Sequence, residues 1–68
     1  MASGDTAELS SLRSQLDELT TRVETVADRY RDTPDSAIAT NLYAAERALV
    51  GARRHVDRAL ADLADQDR

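Results

Sequence analysis

The chain has 68 residues and a formal charge of −4, with 41% hydrophobic residues and no Cys, Phe or Trp. That length allows one small domain near the limit at which a single core suffices, and without cysteine no disulfide framework or thiolate metal site can supplement it. The acidic balance argues against broad attraction to nucleic acid or anionic lipid, and no apolar run approaches the length needed to cross a membrane.

Residues 1–4 are small and polar and read as an unstructured tail, with one domain over 5–68. The opening Met1-Ala2-Ser3-Gly4-Asp5 has neither the basic nor the apolar part of a leader, so a cytoplasmic location is the expectation. Asp5 is a candidate N-cap, with Glu8 three residues on to complete a capping box. From there Leu9, Leu12, Leu16, Leu19, Val23, Val26 and Tyr30 alternate steps of three and four, which predicts an amphipathic helix over about 6–32. Pro34 disfavours helix for the residue before it. Thr33 can cap a new helix, Pro34 suits its first position, and Asp35 complements its dipole. A second helix is predicted over about 34–65, with its apolar stripe on Ile38, Leu42, Ala45, Leu49, Ala52, Val56, Ala59 and Leu63, and Leu60 on its edge.

The two stripes mirror each other. Leu9/Ala59, Leu12/Val56, Leu16/Ala52, Leu19/Leu49, Val23/Ala45, Val26/Leu42 and Tyr30/Ile38 are pairs whose residue numbers sum to 68. Such symmetry predicts an all-α fold: an antiparallel two-helix hairpin with a coiled-coil-like seam. Large side chains opposite Ala45, Ala52 and Ala59 suggest close helix approach, with Ala52 at a crowded contact. Gly51 lies mid-helix, as either a close-approach site for another helix or a tolerated weak point. Two helices cover only part of each apolar side chain, while ordering each residue costs on the order of 1–2 kcal/mol. A lone hairpin of this kind is therefore marginal. The chain is expected to pair with a second copy, as a four-helix bundle, or with a helical partner protein.

Residues able to carry chemistry are sparse. His55 is the single histidine and Gly4 and Gly51 are the two glycines, so neither a histidine metal pair nor a glycine-rich phosphate loop can be written. No catalytic residue, metal ligand, cofactor or small-molecule substrate is indicated, and the predicted stripe contains no carboxylate. Arg13/Asp17, Glu18/Arg22 and Arg58/Asp62 are spaced for ion pairs within a helix. Arg47, Arg53, Arg54 and Arg58 form a basic stretch that could contact an anion or nucleic acid, and Tyr43 and Val50, off the main stripe, could dock a partner protein. In architecture alone the chain is similar to the small plasmid-encoded regulators that dimerise as helical hairpins and bind RNA, though no motif is shared. The expectation is a non-catalytic interaction module: an adaptor, assembly factor or regulatory subunit. A dimeric nucleic-acid-binding regulator using the arginine stretch is the alternative. All nine basic residues are Arg, which together with abundant Ala and Asp suggests a GC-rich bacterial source.

Overall fold

A computed structural model of the protein describes residues 3–66, with side chains described from Gly4 onward. Helix α1 spans Ser3–Tyr30 and helix α2 spans Ser36–Gln66, and they pack antiparallel along a body whose Cα extents are 54 × 14 × 9 Å. All regular structure among the described residues is helical. The unstructured tail expected over 1–4 is corrected in part: Ser3 and Gly4 belong to α1, and residues 1–2 lie outside the described range. Asp5 is therefore inside the first turn of the helix rather than capping it, where its charge still complements the dipole.

The turn explains where both helices stop. Arg31 N–H donates to the Ala27 carbonyl at 3.2 Å, and Asp32 then takes a left-handed φ of 61°, a conformation that Asp tolerates better than most residues. The Thr33 hydroxyl donates to the Tyr30 carbonyl and accepts from Asp35 N–H at 3.2 Å. One side chain thus satisfies the end of α1 and the start of α2, which is the capping role its position suggested. Ser36 N–H reaches the Thr33 carbonyl at 3.1 Å and Ile38 N–H the Asp35 carbonyl at 2.9 Å, two tight i,i+3 turns. Pro34 and Asp35 are consumed in this turn, so α2 begins two residues later than the sequence suggests and α1 ends at Tyr30 instead of near residue 32.

The face that α1 turns toward α2 is Thr6, Leu9, Arg13, Leu16, Thr20, Val23, Ala27 and Tyr30, all half-buried except the fully buried Ala27. On α2 the matching face is Ala39, Leu42, Glu46, Leu49, Arg53, Val56, Leu60 and Leu63. Both faces are rotated from the apolar stripes read in the sequence. Ala27, 0% exposed, and Ala39, 3% exposed, are the fully buried residues among those described. Leu12, Leu19 and Ile38 instead stand 38, 43 and 44% exposed, and Ala45 and Ala52 are also exposed. Within the hairpin the close helix contact is therefore at Ala27 and Ala39, which corrects the expectation for Ala52. The physical reason is width: each stripe subtends more of its helix than one neighbouring helix can cover. The hairpin takes one edge of each stripe and fills the rest of its seam with Arg13, Thr20, Glu46 and Arg53. Thr20 fits because its hydroxyl donates back to the Leu16 carbonyl at 2.7 Å.

The register itself follows the mirror. Arg13 pairs with Asp57, and Asp17 with Arg53, combinations that sum to 70. A helical side chain leans about one residue toward its own N-terminus. In an antiparallel pair both leans add, so side-chain tips meeting at 70 correspond to backbones level at about 68. Leu19 and Leu49 are thus level along the hairpin axis, but Leu19 faces outward.

Candidate interaction surfaces

The rotation of the two stripes gives the hairpin two unlike flanks. On the first, α1 contributes Leu12, Leu19 and Val26 and α2 contributes Ile38, Ala45, Ala52 and Ala59, each series at seven-residue spacing. Leu16, Val23, Leu42, Leu49 and Val56 lie half-buried beneath them. Two shallow surface grooves open on this side. One is lined by Leu19, Arg22, Val23, Val26 and Leu42, and the other, at the terminal end, is lined mainly by Leu9, Ala59 and Leu63 with Asp5, Glu8 and Asp62 on its rim. Tyr30 and Leu60, also half-buried, flank the two ends of the interhelical seam. The residues read as one seam are therefore divided between an internal contact and an open apolar face.

The second flank is polar and its groups engage one another. Arg13 Nη1 lies 3.4 Å from Asp57 Oδ1, while Arg53 Nε sits 3.2 Å from Asp17 Oδ1 and 3.8 Å from Asp57 Oδ2. The Arg53 Nε geometry is that of an ion pair without a directed hydrogen bond, since the atom is enclosed and meets no acceptor at a bonding angle. These groups are partly exposed, so each pair contributes about 0–1 kcal/mol. Their larger effect is on orientation, because they hold this side of the hairpin closed. The ion pair expected within α1 between Arg13 and Asp17 gives way to contacts across the hairpin, made possible by Arg13 lying on the inward face.

Nearer the turn, Glu24 and Glu46 approach one another. Glu46 Oε2 is closed to solvent and lacks a hydrogen-bond partner while both carboxyls are ionised. A shared proton would supply that bond. The Glu46 carboxyl is accordingly held above the usual glutamate range, first by this hydrogen bond to Glu24, then by desolvation and by the like charges of Glu24 and Asp28, with Arg47 opposing. Tyr43 donates its hydroxyl to Asp28 Oδ1 across the helices, and that bond is the main reason its pKa is raised, with desolvation and the Asp28 charge adding and Arg31 opposing.

These contacts revise three sequence readings. Tyr43 is half-buried and bonded within the hairpin, so it does not form a free docking strip with Val50, which is 37% exposed on the polar flank. Arg53 is drawn into the ion pairs and separates from Arg47, Arg54 and Arg58, which remain exposed on the outer side of α2, so the basic stretch loses one of its four members. The seam does contain a carboxylate, Glu46, with Asp57 half-buried at its polar edge. Sequence reasoning sought charged partners only within each helix and so missed the cross-hairpin pairing of Asp17, Asp57, Glu24 and Glu46, although extending the mirror by two residues, to a sum of 70, would have matched all four. A methyl group at Gly51 would meet no heavy atom within 4 Å beyond the backbone of its own helical turns, so nothing in the hairpin requires glycine there.

The described residues contain no cluster of three or more potential metal ligands, and no described helix is long and apolar enough to cross a membrane. The fold defines a two-helix antiparallel hairpin with one uncovered apolar face. No protein-family model, curated protein or solved structure matches the chain.

Proposed function

We propose that this protein is a non-catalytic protein–protein interaction module, a small adaptor, assembly factor or regulatory subunit, which acts by self-association of its hairpin into a four-helix bundle. The observation that carries this reading is the open flank: Leu12, Leu19 and Ile38 are 38–44% exposed on one face while the closed seam fully buries only two alanines among the described residues. A contiguous apolar face on so small a protein is a site for another macromolecule more than a surface for water. The other flank supports the same view, since Arg13, Asp17, Arg53 and Asp57, and Tyr43 with Asp28, are directed at each other across the hairpin.

Sedimentation at micromolar concentrations tests the reading. The wild-type chain is expected to run as a dimer whose melting temperature rises with concentration. Leu19→Asp, which places a charge on the exposed face without touching the internal seam, is expected to run as a monomer with reduced stability. A highly stable monomer at all concentrations, insensitive to Leu19→Asp, would overturn self-association.

A further inference from the structure

Resting on that reading, we infer that the occupant of the open flank is a second copy placed across a two-fold axis perpendicular to the helices, so that α1 lies antiparallel on α1 of the partner, α2 on α2, and the two turns point to opposite ends. Three observations lead to this arrangement.

The first is area. A face with the 54 × 14 Å footprint of the hairpin offers roughly 750 Å², close to the ~800 Å² per partner of stable interfaces. A second copy presents a face of the same length and covers it without overhang.

The second is symmetry within the face. Leu12, Leu19 and Val26 read almost the same in either direction about Leu19, and Ala45, Ala52 and Ala59 read the same about Ala52. By the register of Arg13–Asp57 and Asp17–Arg53, in which side-chain tips meet at a sum of 70, the tips of Leu19 and Ala52 fall within about one residue, ~1.5 Å, of the same height. One two-fold axis therefore passes close to both centres. Leu19 meets Leu19 on one side, Ala52 meets Ala52 on the other, and each layer combines large and small side chains.

The third is charge along the rim of α1, and it decides direction. Glu8, Gln15, Arg22 and Arg29 recur at seven-residue spacing on the outer edge of this flank, acidic at the terminal end and basic at the turn end. Glu8, Arg22 and Arg29 make no ion pair within the hairpin among the described residues. In the antiparallel arrangement Glu8 of one copy lies beside Arg29 of the other, twice by symmetry. If the turns were at the same end, Glu8 would instead meet Asp62, with Asp5 adjacent, and like charges would gather at one pole.

The test has two arms. A spin label on Asp35→Cys, the single cysteine of that variant, reports the separation of the two turns. The expected distance is comparable to the 54 Å length of the hairpin, against about half that or less when both turns share one end. In the second arm, sedimentation at low salt compares Glu8→Arg, Arg29→Glu and the double exchange. Each single reversal is expected to weaken the dimer about tenfold and the double exchange to restore it. A dimer with a short turn-to-turn distance overturns the antiparallel arrangement while self-association stands. Reversals without effect overturn the rim pairing. A chain that stays monomeric removes the proposed function and this inference together.

Discussion

Ala27→Leu is the substitution that separates the observed seam from the one drawn on the sequence. Ala27 is fully buried in the seam between the helices, one turn before Tyr30, and its carbonyl accepts a hydrogen bond from Arg31 N–H. Leu adds three carbons to a site with no exposed volume. Overpacking of this kind costs about 1–3 kcal/mol, while Ala and Leu differ little in helix propensity, so nearly all of the effect comes from packing. For a domain of this size 1 kcal/mol moves the midpoint by about 4–8 °C, which places the loss at roughly 5–20 °C. Thermal melts followed by circular dichroism at one fixed protein concentration measure it, with the exposed Ala61→Leu as a control that stays with the wild type. If Ala27→Leu also melts with the wild type, the helices do not meet at Ala27 and the rotated seam is wrong.

Ala52→Leu addresses the other face: exposed in the hairpin, it is expected to leave helix content unchanged and to weaken dimerisation about tenfold or more, read by sedimentation. Gly51→Ala is expected to stabilise by about 1 kcal/mol in urea unfolding, because the added methyl meets nothing and the helix gains propensity. A loss instead would place another helix against Gly51. The Glu24–Glu46 pair makes stability depend on pH. A carboxyl whose folded pKa is raised contributes fully below the ordinary glutamate value, and that contribution is lost as pH rises through the folded value. The hairpin is therefore expected to gain from this pair on acidification, and Glu46→Gln to stabilise at neutral pH and reduce the pH dependence. An unchanged profile in melts between weakly acidic and neutral pH would show that the two carboxyls do not interact.

Two helices, one reversal and the backbone register were legible in the residues themselves, because each rests on local or one-dimensional information. The three-four spacing from Leu9 to Tyr30 and from Ile38 to Leu63 sets helical period, Pro34 interrupts it, and the mirrored stripes set which residues lie level. The turn was legible down to the role of Thr33, whose hydroxyl serves both helix ends.

Only the tertiary structure decided rotation. Periodicity reports which side chains favour burial but not which neighbour buries them, and a stripe wider than one helix contact can be shared between two interfaces. The closed contact is where small residues permit close approach, at Ala27 and Ala39, and where Arg13, Arg53, Asp17 and Asp57 can reach across. Leu12, Leu19 and Ile38 belong to the same apolar stripes by sequence, yet they lie on the open flank because one partner helix cannot cover the full width.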